Sequence, residues 1–224
     1  MLKLSNFLQV LLSILVFIFI FFIIVKFTVS FKYLYYYDIK ALSITSNFNN
    51  TIEIYSGKKI VLNDKQVKED YSYMISYING ETKKKTFDLP NLPSSEHGKI
   101  HFMDVEKIIK KINMVAFSIS LPMLIGIILC FIKRKKLYLK ITSILLFVTP
   151  VIIGVLSLNG FSDIFIKFHE LFFNNNYWLF DPAYDPIILL LPEEFFFHCF
   201  ILILLLCFIC GGILMKLYRS KKLN

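Results

Sequence analysis

Residues 112–158 read INMVAFSISLPMLIGIILCFI, then KRKK, then LYLKITSILLFVTPVIIGVLSL. The first apolar run, from Ile112 to Ile132, has the roughly 20 residues that a helix needs to cross a bilayer. Lys133, Arg134, Lys135 and Lys136 close it. The next run begins near Leu137 and ends near Leu158. Pro150 and Gly154 lie inside it; membrane helices tolerate both, and here they can introduce a kink. Two such runs around a cationic connector are read as two membrane spans.

Moving outward, two more runs have the same character. Leu8 to Val25 is longer than the apolar core of a typical signal peptide, and no small-x-small cleavage site follows it, so it is read as a retained helix. Phe195 to Met215 is closed by Lys216, Arg219, Lys221 and Lys222. Before it, Pro192 followed by Glu193 and Glu194 is a good helix start, since proline suits the first turn and acids suit its dipole. At 56% hydrophobic residues over 224, the chain is too apolar for a soluble domain. The formal net charge of +9 would suggest nucleic acid in a soluble protein, but its distribution excludes that reading.

That distribution sets an expected orientation. Lys3, the cations of 133–140 and those of 216–224 stand without a single acid among them, and all 16 acids fall in residues 26–111 and 159–194. The positive-inside rule puts both termini and the connector in the cytoplasm; the long loop counts little in that rule and faces outward. The expected fold class is a mainly α membrane protein, four transmembrane helices with an extracytoplasmic α+β cap. The expected segments are residues 1–25 (stub and first span), 26–111 (cap), 112–132 (second span), 133–140 (connector), 141–158 (third span), 159–193 (re-entrant or interfacial segment), 194–215 (fourth span) and 216–224 (cytoplasmic tail). Cys130, Cys199, Cys207 and Cys210 all sit in apolar runs and are read as small hydrophobes rather than a disulfide framework.

Within the cap, Tyr33, Tyr35, Tyr36 and Tyr37 suit an aromatic belt. Thr51 to Leu62 alternates around Ser56-Gly57 and predicts a β-hairpin. Asn63 with Gln66 predicts a helix cap, and Val67, Tyr71, Met74, Ile75 and Ile78 follow at helical spacing to Asn79-Gly80. Ser94 or Ser95 then caps a helix that runs on into the second span.

The titratable residues are sparse. His97 lies in a polar stretch and reads as solvated. His101 shares a helix face with Val105 and Ile108. Residues 161–173 place Phe165, His169, Phe172 and Phe173 on one side of a short aromatic helix suited to the interface plane. His198 is one turn into the fourth span. Each histidine has a bland reading as a polar tip at headgroup level, set against the tendency of ionisable groups near membrane cores to be functional. No H-E-x-x-H motif supports a metal site. Cys199 beside His198 makes a poor nucleophile pair, because helix neighbours point apart.

Two stretches carry a resemblance. Residues 94–105 (SSEHGKIHFMDV) are one. The other spans 168–200 and contains FHELFF, YWLFDP, DPII and LPEEFFFHCF. Together they resemble the bacterial lipoprotein intramolecular transacylase family of Gram-positive bacteria. The four-helix layout with an outer cap is also similar; residues 41–62 lie outside the resemblance, and Asp70-Tyr71 stands where the family often has Asn-Tyr. The resemblance implies transfer of the sn-2 acyl chain of a diacylglyceryl lipoprotein to the amine of its N-terminal cysteine, giving a lyso-form lipoprotein. It implies His101 and His169 as the catalytic pair, with no cofactor and no metal. Asp104, Asp181, Asp185 and His198 are the expected orienting residues, and Tyr71, Phe172, Phe173, Tyr177, Trp178 and Phe180 the expected substrate pocket. The expected partners are the lipoprotein substrate and membrane lipid, with no nucleic acid. A non-catalytic envelope sensor or lipoprotein-handling subunit is the alternative from a different class.

Overall fold

The computed structural model describes residues 2–157 and 160–220. In chain order its helices are α1 (Leu2–Ser30), α2 (Lys32–Ala41), α3 (Ile44–Ser56), α4 (Asp64–Ile78), α5 (Glu96–Ile132), α6 (Leu137–Leu156), α7 (Phe161–Phe172) and α8 (Glu193–Arg219), with a short 3-10 helix at Pro186–Leu190. Four of them, α1, α5, α6 and α8, are long and apolar enough to cross a membrane. Leu158 and Asn159, where the third span was expected to end and the next segment to begin, lie outside the described residues, as do the cations Lys221 and Lys222.

The chain folds as two compact units. Residues 2–28, 112–157 and 201–220 form the membrane unit. Two of its buried hydroxyls bond to carbonyls of neighbouring helices, as lipid surroundings favour. Thr142 Oγ1 donates to the Ser13 carbonyl at 3.1 Å, and Ser143 Oγ donates to the Gly211 carbonyl at 2.8 Å. A β-carbon at Gly126 would stand 2.8 Å from Leu12 Cδ1, so glycine there lets α1 and α5 approach closely. The four cysteines are free. Helix α6 begins at Leu137, where Gln9 Oε1 accepts from the Leu137 N–H and satisfies an orphan donor of its first turn.

Val29–Lys111 and Gly160–Phe200 form the second unit. Its core is aromatic: Tyr35 stacks on Tyr71 at 3.7 Å between centroids, Phe195 packs edge-on to both, and Phe87 stacks on Phe102 at 4.1 Å. The expected helix at Val67 to Ile78 is present with its full capping box. Asn63 accepts from the Lys65 and Gln66 N–H groups, and Gln66 Oε1 accepts from the Asn63 N–H.

The expected β-hairpin is corrected. The unit is helical, with no strand among the described residues, so the cap is not α+β. Residues 51–56 continue α3, and Gly57, at φ 63°, terminates that helix rather than turning a hairpin. Ile44, Phe48 and Ile52, four apart, are all fully or almost fully buried, whereas Ile54 is 79% exposed. The helical period therefore wins over the local alternation. The residues after it form no strand, and Leu62 pairs with a side chain. Asn49 donates to the Leu62 carbonyl at 2.8 Å and accepts from the Leu62 N–H at 2.9 Å.

Helix α5 runs unbroken for 37 residues. Residues 96–111 carry Glu96, Lys99, Asp104, Glu106, Lys107, Lys110 and Lys111 and belong to the second unit. That charge density excludes them from a hydrocarbon layer. Residues 112–132 span about 31 Å at 1.5 Å per residue, close to the thickness of a bilayer core.

Candidate active site

Two helices of the second unit bring two imidazoles together. His101 stands on α5 and His169 on α7, and their ring centroids are 6.1 Å apart. Ser95 starts the first helix: its Oγ accepts from the Gly98 N–H. Asp185, itself buried, accepts from the Ser95 N–H at 2.8 Å and from Ser95 Oγ at 2.6 Å. A β-carbon at Gly98 would overlap the Asp185 carboxylate, so glycine is what admits this contact. Asp185 thereby ties down the turn that precedes His101.

Aromatic rings enclose the pair. Phe173 lies 4.8 Å from His101 and 5.7 Å from His169, Phe180 is edge-on to His101 at 5.2 Å, and Trp178 stacks on His169 at 4.7 Å. Phe102 and Phe165 complete the enclosure.

The two imidazoles are not equivalent. His169 Nδ1 lies 2.7 Å from the Phe165 carbonyl, one helical turn back. A carbonyl only accepts, so Nδ1 carries the proton and Nε2 keeps its lone pair. Burial lowers the His169 pKa from the ordinary imidazole value, against the pull of that hydrogen bond. His101 is only 7% exposed, and its Nδ1 is buried without a hydrogen-bond partner. Its pKa is lowered to about 4, first by burial and then by repulsion from His169. Both rings are therefore neutral at pH 7, and charging one opposes charging the other.

The carboxylates expected to orient these rings divide into different roles. Asp104 faces away from hydrogen bonding to His101: Oδ1 accepts from Lys107 Nζ at 2.9 Å and Oδ2 from Asn175 Nδ2 at 3.1 Å. Burial raises its pKa, but these donors hold it below the ordinary carboxylate value. Asp181 accepts from the Ala183 N–H two residues on and closes a turn. His198 pairs with Asp38 rather than with an imidazole; its Nδ1 is 2.9 Å from both carboxylate oxygens.

Of the expected pocket residues, Phe173, Trp178 and Phe180 meet at the histidines. Tyr177 instead stacks on His97 at 4.2 Å, and Phe172 packs on Phe168 while remaining 48% exposed. Tyr71 belongs to the core stack on Tyr35. Sequence reasoning missed Asn175 and Asp38, and it gave Ser95 only as a helix cap. Phe165 was legible as a face-mate of His169, four residues before it, but Asn175 has no local signal because its partner Asp104 is 71 residues away. Among the described residues no group of three or more His, Cys, Asp or Glu side chains is placed to hold a metal ion.

Fold and site together define a helical membrane protein with one buried and one partly buried imidazole among aromatic rings. The sequence profile of the lipoprotein intramolecular transacylase Lit matches residues 10–196. The solved structure of that transacylase from Bacillus cereus is similar at a TM-score of 0.88 and 31% sequence identity, covering 98% of this chain and 96% of that one. Two further structures of the Bacillus cereus protein have one histidine replaced. The arginine form matches at TM-score 0.82 and 31% identity, over 97% of this chain and 91% of that one. The alanine form matches at TM-score 0.82 and 31% identity, over 97% and 93%. No curated protein matches the sequence. The chain belongs to the lipoprotein intramolecular transacylase family, and it is a multi-pass integral membrane protein.

Proposed function

We propose that the protein transfers the sn-2 acyl chain of a diacylglyceryl lipoprotein onto the amine of its N-terminal cysteine, with His101 and His169 as the catalytic pair. The observation that carries this reading is the paired imidazoles, 6.1 Å apart and walled by Phe173, Trp178 and Phe180.

The chemistry asks for little more. An α-amine with a pKa near 8 is partly neutral at pH 7 and needs only a modest base. His169 Nε2 is that base, because its other nitrogen is committed to the Phe165 carbonyl. The amine attacks the ester carbonyl as its proton passes to Nε2. The resulting imidazolium returns that proton to the glyceryl oxygen as the carbon–oxygen bond breaks. His101, kept neutral by burial, donates its N–H to the oxyanion of the tetrahedral intermediate. Ester and amine belong to one molecule, so folding it into reactive geometry does much of the work; such orientation contributes about 7–11 kcal/mol in model reactions. The aromatic enclosure keeps water from intercepting the acyl group.

The proposed orientation puts the second unit outside the cell and both termini in the cytoplasm. The amphipathic α7, with Phe168, Leu171 and Phe172 exposed, then lies in the outer interface.

Mass spectrometry of the N-terminal peptide of a diacyl lipoprotein incubated with the reconstituted protein tests the reading. The expected product has the same mass, with one acyl chain moved from glyceryl to amine. His101→Ala and His169→Ala should each lower turnover by about 10²–10⁴, and the double variant should add little to the greater single loss, because members of one unit are not additive. Unchanged turnover in the double variant refutes the assignment.

A further inference from the structure

Within the membrane unit, a groove of about 300 Å³ runs between α1 and the spanning part of α5. Phe19, Phe22 and Ile23 form one wall, Ala116 and Phe117 the other. Lys26 and Asn113 stand at one end, with Lys26 Nζ donating to Asn113 Oδ1 at 2.9 Å. Ser120, the other polar lining residue, uses its hydroxyl on the Phe117 carbonyl at 2.6 Å.

The register places these groups by depth. The apolar run of α1 begins at Leu8, and Lys26 follows it by about 27 Å at 1.5 Å per residue, close to the thickness of a bilayer core. Asn113 is the second residue of the 112–132 span. Both polar groups therefore lie at the same membrane face. Phe22 and Phe19 stand one and two turns inward from Lys26, and Ala116 and Phe117 one turn inward from Asn113. An ammonium group has three donors and Asn113 takes one. No carboxylate lies within 4 Å of Lys26 among the described residues. A charge without a counter-ion, held by an amide at the mouth of an apolar groove, is complementary to an anionic headgroup with a chain beneath it.

We propose that this groove is a binding site for an anionic phospholipid of the leaflet facing Lys26. Lys26 and the Asn113 amide hold the headgroup, and one acyl chain lies along Phe19, Phe22 and Phe117. The uncharged diacylglyceryl group of a lipoprotein would leave the ammonium uncompensated, and a zwitterionic headgroup would bring a second cation to it. The site shares no residue with the histidine pair, and the inference is independent of the acyl-transfer reading.

The test is native mass spectrometry of the full-length protein released from vesicles of equal phosphatidylglycerol and phosphatidylcholine. The wild type should retain phosphatidylglycerol about fivefold over phosphatidylcholine, the factor expected for one lysine at a membrane surface. Lys26→Arg should keep that preference and Lys26→Gln should abolish it; the arginine variant separates charge from folding. Glycerophosphate in solution should not displace the lipid, since it has no chain for the groove. Equal retention of the two lipids, a preference that survives Lys26→Gln, or displacement by glycerophosphate or by an uncharged diacylglyceryl peptide would each overturn the proposal.

Discussion

Acid should destabilise this protein through His101, and replacing that ring should remove the effect. The imidazole is 7% exposed, and its pKa is depressed from the ordinary 6.5 to about 4. In the unfolded chain it binds a proton below 6.5; in the folded chain it stays neutral down to about 4. The unfolded state therefore holds more protons throughout that window, and stability falls as the pH drops through it. At 1.36 kcal/mol per pH unit the full effect is about 3 kcal/mol, of which about 2 kcal/mol is lost between pH 7.5 and pH 5. His101→Phe is the control. Its ring replaces one already packed by Phe102, Phe173 and Phe180, and it deletes the buried Nδ1 that has no partner. Substituting an apolar group of similar shape for such a polar atom is close to neutral in stability. The measurement is the unfolding free energy from sodium dodecyl sulfate titration in mild detergent, at pH 7.5 and pH 5, for wild type and His101→Phe. The wild type should lose about 2 kcal/mol more than the variant on acidification. An equal loss in both proteins would show that His101 is not held neutral in the folded state, and the neutral-donor role would fall with it.

Two further outcomes follow from the hydrogen-bond geometry and the charge pattern. Asp181→Asn should retain turnover, because the amide oxygen can still accept from the Ala183 N–H; Asp185→Asn should cost about 1–3 kcal/mol in the same titration and lower turnover, because an amide N–H then faces the Ser95 donors. Equal turnover in the two variants would remove Asp185 as the group that positions α5. Single cysteines introduced near Lys84 and Asn175 should react with an impermeant thiol reagent on intact cells while one near Lys135 should not, and labelling at Lys135 would invert the proposed orientation.

The membrane architecture was legible because its signals are local. A span announces itself by about 20 apolar residues, and Lys133 to Lys136 separate two spans without help from anything distant. The capping box at Asn63 and Gln66 is likewise complete within four residues. The hairpin misread shows where local pattern fails. Residues 51–56 alternate, but Ile52 belongs to a buried face with Ile44 and Phe48, and that longer period decided the helix.

His101 and His169 were found through motif resemblance together with helix-face spacing, 68 residues apart. Sequence alone placed each on a helix face and left each with a bland reading as a polar tip. Their inequivalence came only from the folded structure. The Phe165 carbonyl fixes the tautomer of His169, while Phe173 and Phe180 remove water from His101. The same holds for the carboxylates: Asp181 and Asp185 have the same Asp-Pro signature, yet one closes a local turn and the other reaches 90 residues back to Ser95. Spans and caps rest on free energies set by neighbouring residues, whereas the protonation state of a histidine and the partner of an aspartate depend on which distant side chains folding packs around them.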